Sequence, residues 1–176
     1  MKKKIILSLL VILSLFIITG CGKKEENKKE QESKDKSAFT IKDKEFKLDT
    51  DREFEGLKYK ISSEFKEIDN VTPSSTYMQY NYQPENSSNY FYFRILCYKD
   101  KDIEFAKNDY VGNEEQYVYE EVKINNIEYK KIDEKRTDGT IHHYFITKDG
   151  KTFILSFISQ NDIKDFESKV LDSINF

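Results

Sequence analysis

The second half of the chain alternates apolar and polar residues in four successive runs. These runs cover residues 117–124, 127–136, 141–147 and 152–159, and period-two alternation is typical of strands with one buried face. Between them stand Asn125-Asn126, Asp138-Gly139 and Asp149-Gly150, residue pairs that tolerate the positive φ angles of tight hairpins. The pattern predicts a four-strand antiparallel meander.

Shorter alternating runs precede the meander. Residues 46–48, 57–61 and 76–83 each fit a strand, and an irregular piece is expected from the end of the second run through Pro73. Residues 90–98, with the sequence YFYFRILCY, form the most strand-like run of the chain.

Two helices are predicted around these strands. Residues 102–108 place Ile103 and Ala106 on one side of a short helix with an acidic first turn. At the end of the chain a single apolar stripe recurs at helical spacing and must lie on the meander, with Ser159 or Asn161 as the N-cap. The stripe consists of Ile163, Phe166, Val170 and Ile174. The predicted fold class is α+β: an antiparallel sheet with the C-terminal helix packed on it and a short helix in mid-chain.

Three stretches mark this order of elements: the hairpin Asn125-Asn126, the run at 143–153 (HYFITKDGKTF) and the ending at 171–176 (LDSINF). Together with the order of the elements, they resemble the PsbP-like fold. PsbP-like domains occur in photosystem extrinsic proteins, in a nuclear-transport GTPase binder and in bacterial lipoproteins. The resemblance implies a binding or scaffold role, and it provides no ligand-binding residue that can be matched here.

The first 21 residues have the organisation of a secretory signal. Three lysines (Lys2 to Lys4) precede an apolar run, residues 5–18, which as a helix would be about 21 Å long and too short for a hydrocarbon core of roughly 30 Å. The run ends in Ile18-Thr19-Gly20-Cys21, which resembles the lipobox of bacterial lipoproteins. The resemblance implies cleavage between Gly20 and Cys21 and a diacylglyceryl group on the Cys21 thiol.

This N-terminal signal predicts three segments: a signal peptide (1–20), a lipidated disordered tether (21–38) and one domain (39–176). The tether GKKEENKKEQESKDKSA lacks the apolar residues needed for a core. The protein is expected on the outer face of the cytoplasmic membrane of a Gram-positive bacterium of low GC content, held by its N-terminal lipid. The alternative is an ordinary signal peptide with an incidental cysteine.

Charge and cysteine content narrow the expected partners. From Phe39 onward 20 basic residues stand against 27 acidic ones, a formal net charge of −7. Nucleic-acid binding needs clustered Lys and Arg and is therefore not expected. Cys97 is the one cysteine besides Cys21, so no disulfide is expected once Cys21 is alkylated.

Residue types that could support catalysis are present but poorly arranged. Adjacent residues of a strand point to opposite faces, so His142 and His143 are not expected to share a metal. Cys97 falls on an apolar strand face and should be an inert core thiol. The acidic cluster 100–104 lacks the glycine and glutamate of a calcium loop and should instead charge the start of a helix. No catalytic residue, metal site or cofactor is predicted.

One strand face is the predicted binding surface. Alternation along residues 90–98 places Phe91, Phe93, Ile95 and Cys97 in the core, and it places Tyr90, Tyr92, Arg94, Leu96 and Tyr98 on the other side. Phenols beside a guanidinium can stack on sugars or bind an anionic group, although a helix could equally cover this face. The predicted function is non-catalytic binding of a protein or envelope component. The alternatives are a small-molecule-binding accessory beside a transporter and, third, a hydrolase.

Overall fold

A computed structural model describes residues 37–68, 76–85, 87 and 91–176, which all belong to one compact unit. Its elements are β1 (Ala38–Ile41), β2 (Lys44–Lys47), β3 (Thr50–Phe54), β4 (Leu57–Ile61), β5 (Phe65–Ile68), β6 (Met78–Pro84), β7 (Phe93–Lys99), α1 (Ile103–Tyr110), β8 (Glu120–Ile124), β9 (Ile127–Arg136), β10 (Gly139–Lys148), β11 (Lys151–Ser159), β12 (Ile163–Lys164) and α2 (Phe166–Ser173). A seven-strand antiparallel sheet in the order β5-β6-β7-β11-β10-β9-β8 is the centre of the fold. The chain is a mostly antiparallel β protein with two short helices among its described residues.

The predicted four-strand meander is confirmed as β8 to β11. Asn125 and Asn126 have φ angles of 51° and 64°, as a two-residue hairpin of this hand requires, and Asp149 and Gly150 have 49° and 74°. The middle hairpin differs from the prediction, because Gly139 already pairs with Arg136. Its loop therefore consists of residues 137 and 138, and Asp138-Gly139 is not the turn.

The first strands form two small sheets that the alternation only partly predicted. Strand β4 has the predicted bounds and pairs with β3, while β1 lies between β2 and β12. Strand β5 occupies part of the segment that was predicted to be irregular, and its four residues pair with β6 at the edge of the main sheet. A four-residue strand provides too few positions for alternation to be recognised in the sequence.

The mid-chain helix is confirmed, and the start of the C-terminal helix is corrected. Asp102 caps α1, since its carboxylate accepts a hydrogen bond of 2.8 Å from the backbone N–H of Phe105. In contrast, α2 begins after Asp165, which has a φ of 62° and makes no side-chain cap, so neither Ser159 nor Asn161 is the N-cap. Ile163 is not helical but pairs with Ile41 as part of β12.

The sheet has a different hydrophobic cluster on each face. On the α2 face, the ring of Phe166 lies 4.8 Å from that of Phe39, 5.3 Å from that of Phe65 and 6.1 Å from that of Phe157. This packing confirms that the C-terminal helix lies on the sheet. On the α1 face a smaller cluster contains Leu96, Tyr98, Ala106, Ile132, Phe145 and Ile154.

Within the described ranges, the chain contains no helix with the length and apolar character needed to cross a membrane.

Candidate functional site

The predicted tyrosine–arginine face is not an open surface. Tyr92 and Tyr98 are 1% and 0% exposed, and Arg94 is half-buried. Helix α1 covers Tyr98, whose hydroxyl donates to Asp109 over 3.1 Å. Tyr90 lies outside the described residues. Two of the four predicted contact residues therefore cannot reach a partner, and that prediction is corrected for them.

The reason is a bend at Tyr92, immediately before β7. The N–H of Tyr92 donates to the carbonyl of Tyr82 over 2.8 Å, yet Tyr82 pairs with Phe93, so two residues oppose one as in a β-bulge. Tyr92 consequently joins Phe93 in the cluster on the α2 face. Phe91 is buried, as predicted, but it does not share the face of Phe93: its ring lies 4.0 Å from the Arg94 guanidinium carbon.

A row of polar side chains crosses the main sheet on the α1 face. Strand pairing places Asn81 opposite Arg94, Arg94 opposite Ser156, and Ser156 opposite His143. These four residues, hereafter the polar row, come from the four adjacent strands β6, β7, β11 and β10. Asn81, Ser156 and His143 are buried.

Hydrogen bonds link the members of the polar row. The Nε of Arg94 donates to Oδ1 of Asn81 over 2.6 Å, and its Nη1 donates to the hydroxyl of Tyr110 at the end of α1. At the other end, His143 Nδ1 lies 2.9 Å from Ser156 Oγ. The Nδ2 atom of Asn81 is buried and has no hydrogen-bond partner among the described residues.

Glu134 on β9 contacts the His143 end of the polar row. One of its carboxylate oxygens lies 3.1 Å from His143 Nε2, and Arg136 makes two hydrogen bonds with the same carboxylate over 3.1 and 3.2 Å. An ionised carboxylate can only accept, so Nε2 carries a proton. When the imidazole is neutral, Nδ1 accepts from the Ser156 hydroxyl.

Burial favours the neutral imidazole, and its effect on the pKa of His143 exceeds the opposing effect of the hydrogen bond to Glu134. Burial lowers the pKa of His143 below its usual value, because the charged ring would lose its hydration. The hydrogen bond from His143 lowers the pKa of Glu134, and burial raises the pKa of Tyr110. All three shifts favour a row in which Glu134 is the ionised carboxylate and His143 and Tyr110 are neutral.

Serine, histidine and glutamate in this order have the composition of a nucleophilic triad. However, Ser156 is 0% and His143 is 2% exposed, and the ring of Tyr110 packs edge-on to that of His143 with 5.7 Å between the centroids. A nucleophile must reach the carbonyl or phosphorus that it attacks, and Ser156 is enclosed. In this conformation the constellation joins β9, β10 and β11 through buried hydrogen bonds.

The site residues predicted from the sequence did not include Asn81, Ser156 or Glu134. A signal was present, since Ser156 and Asn81 are polar residues inside strand-like runs that are otherwise rich in apolar and aromatic residues. A buried polar residue in such a run requires a partner. Strand order, which the local pattern does not provide, identifies that partner.

The other histidine lies on the opposite face, as predicted. His142 Nδ1 lies 2.7 Å from Glu167 of α2, and its Nε2 lies 3.8 Å from Asp133. Tyr144 donates to the same Glu167 carboxylate, so this cluster holds the C-terminal helix against β10. Within the described residues, no three His, Cys, Asp or Glu side chains are grouped closely enough to hold a metal.

Cys97 is buried in the cluster on the α2 face, as predicted. Burial raises the pKa of its thiol to about 11, and an unionised thiol is a poor nucleophile.

An open groove of about 360 Å³ lies on the α1 face at the β8 end of the sheet. Phe145 and Ile103 contribute apolar floor, and the lining also includes Glu121, Lys123, Glu128 and Lys130. Tyr119 adjoins this groove, with its ring 5.8 Å from that of Phe145 and 4.9 Å from the Lys130 ammonium. The groove thus combines aromatic and charged side chains, the composition that was predicted for the outer face of residues 90–98.

Gly20 and Cys21, the predicted cleavage and lipidation residues, lie outside the described residues.

No family model matches the chain, and a search of curated proteins gave no significant match. Among solved structures, the chain is similar to a crystal structure from Bacteroides thetaiotaomicron VPI-5482 with a TM-score of 0.45 and 15% identity. The alignment covers 68% of this chain and 44% of that one, so the chain spans less than half the length of the solved protein.

Proposed function

We propose that the protein is a lipoprotein on the outer face of the cytoplasmic membrane, whose domain binds a protein or cell-wall component without catalysis. The observation that carries this proposal is the N-terminal sequence, in which three lysines, a short apolar run and Ile18-Thr19-Gly20-Cys21 follow one another. Two acyl chains on Cys21, at about 0.8 kcal/mol per buried methylene, would hold the chain stably on the bilayer. The PsbP-like resemblance belongs to the same proposal, because it implies a binding or scaffold role.

The groove on the α1 face is the binding surface that we infer. It combines an exposed rim of both charge signs with aromatic and apolar side chains, the composition from which binding hot spots are drawn. The polar row, which lies beneath helix α1 on the same face, is enclosed. It therefore supports the position of α1 and does not present reactive groups. Binding is therefore assigned to the groove and a structural role to the row.

A small-molecule-binding accessory beside a transporter is the second candidate. The groove volume of about 360 Å³ favours it, since ligand pockets begin near 300 Å³. Recovery of partners from envelope extract separates the two functions. Lys130→Glu should reduce the recovery of a macromolecular partner, whereas a solute binder would recover none with either chain.

Labelled palmitate tests the anchoring. The unaltered chain, expressed in a Gram-positive host, should incorporate label and fractionate with membranes. Cys21→Ser should incorporate none and retain its signal peptide, because a hydroxyl does not form the thioether. If the unaltered chain incorporates no label or fractionates with the cytosol, the proposed location is wrong.

A further inference from the structure

Strand β8 is the last strand of the seven-strand sheet, at the edge opposite β5. Among the described residues β8 pairs with β9 and with no other strand. Its side chains are exposed or half-buried, and Val118, just before it, is 73% exposed. An edge of this kind can accept another strand through its free backbone groups.

The hairpin with β9 determines which backbone groups of β8 point outward. Ile124 pairs with Ile127 across the two-residue loop, and the residues that flank such a loop exchange backbone hydrogen bonds. Because the direction alternates along a strand, Glu120, Val122 and Ile124 bond to β9. The N–H and C=O groups of Glu121 and Lys123 therefore face away from the sheet.

A second copy of β8 can pair with this edge in an antiparallel register. Residues whose backbone groups point outward must oppose each other, so the two-fold axis of the pairing passes through a residue and not between two residues. If at least three residues of each five-residue strand are to pair, that residue is 121, 122 or 123. Centring on Glu121 or on Lys123 places like charges opposite each other. Centring on Val122 places each Glu121 opposite the second copy's Lys123, and only this one of the three registers pairs opposite charges.

The charges behind the edge strengthen the same register. Glu121 already lies opposite Lys130, and Lys123 opposite Glu128, across β8 and β9. In the paired arrangement a line of charged side chains on the α1 face would run from Lys130 to Glu121, and then to Lys123 and Glu128 of the second copy. Positive and negative charges alternate along this line, and the two-fold symmetry produces the line twice.

We propose that β8 is a homodimerisation edge, at which two copies pair antiparallel about Val122 and join their seven-strand sheets. The contact involves five residues per chain, which is small beside stable protein interfaces. The dimer is accordingly weak and forms at high local concentration.

Disulfide trapping in the purified full chain tests the register. In the proposed pairing the two Val122 residues form a directly opposed, non-hydrogen-bonded pair with Cα atoms about 4.5 Å apart, within disulfide reach. Val122→Cys should therefore form a covalent dimer under mild oxidation. Glu120→Cys is the matched control, because the two copies of residue 120 would be offset by four residues, about 13 Å, and should not cross-link.

Charge reversal tests the recognition. In the Val122→Cys background, Glu121→Lys makes both facing positions basic, and Lys123→Glu makes both acidic. Each variant alone should form about tenfold less covalent dimer, while a mixture of the two, distinguished by size tags, should form the heterodimer at the parental level. The contacts within each chain are the same before and after mixing, so misfolding cannot produce this recovery.

Two outcomes would overturn the proposal. One is equal cross-linking by Val122→Cys and Glu120→Cys above the background of the unaltered chain. The other is a mixture that forms no more dimer than its components.

Discussion

The two faces of the seven-strand sheet bury different kinds of residue. On the α2 face, rings of Phe39, Phe65, Phe93, Phe157 and Phe166 pack against one another and against apolar side chains from β1, β4 and α2. On the α1 face a smaller apolar cluster shares the surface with the polar row and with the open groove. The α2 face is the more hydrophobic of the two, and the α1 face combines the buried hydrogen bonds of the polar row with the groove.

The difference separates stability from specificity. Hydrophobic burial is not directional, so the α2 face supplies free energy of folding and excludes slips by one residue, which would turn its apolar side chains away from the core. The polar row is directional, because its hydrogen bonds form only when β6, β7, β11 and β10 are in this alignment. The α1 face therefore holds the register and positions α1 beside the groove.

The largest expected effect is loss of a ring from the α2 face. Phe157 is fully buried, and its ring is stacked on that of Phe93 with 4.9 Å between the centroids. Phe157→Ala should lower the free energy of unfolding by about 3–5 kcal/mol, measured by urea denaturation, because it removes buried apolar area and leaves a cavity.

Phe105→Ala on α1 is the control for that loss. Phe105 is 39% exposed, so its removal should cost less than about 1 kcal/mol. If the two substitutions cost the same, the comparison between the faces fails.

The second effect is a pH dependence that arises on the α1 face. Burial lowers the pKa of His143 in the folded chain, whereas the unfolded chain binds a proton near the ordinary value of 6.5. The unfolded state therefore binds more protons below that pH. Stability should be full above about pH 6.5 and should fall as the pH decreases towards 5, with a slope of at most about 1.4 kcal/mol per pH unit.

Substitution identifies the residue responsible for this slope. The carboxylate of Glu134 contributes in a lower range, since its folded pKa lies below the ordinary 4.5. His143→Gln should flatten the dependence between pH 7 and 5, measured by urea denaturation at each pH, and His142→Gln should preserve more of it. A parental profile that is flat over this range would contradict the buried neutral imidazole.

Local sequence determined much of the fold but little of the site. The meander was predictable because Asn125-Asn126 and Asp149-Gly150 adopt positive φ angles that few other residue pairs tolerate, and because the strands between them are long. Strand β5 was not predictable, because four residues are too few to show the alternation of apolar and polar positions. The bend at Tyr92 defeated the assignment of Tyr92 and Phe91 to faces, because a single extra residue reverses the alternation beyond it.

The polar row shows why the rest could not be predicted. The four residues of the polar row are separated by up to 75 positions in the sequence, and they become neighbours only through the order β6-β7-β11-β10. Each residue taken alone is an ordinary polar residue in a strand. Their association depends on the pairing of strands that are distant in the sequence, and the local alternation of apolar and polar residues does not predict that pairing.

Chemical modification of His143 tests most directly the claim that the row is an enclosed structural element and not a reactive centre. In the His142→Gln chain, where His143 is the one remaining histidine, diethylpyrocarbonate should modify the folded protein at least about a hundredfold more slowly than the urea-unfolded protein, because the imidazole is 2% exposed. Modification of the folded chain at a rate close to that of the unfolded chain would show that Ser156 and His143 are open to reagents, and the assignment of function to binding alone would then be wrong.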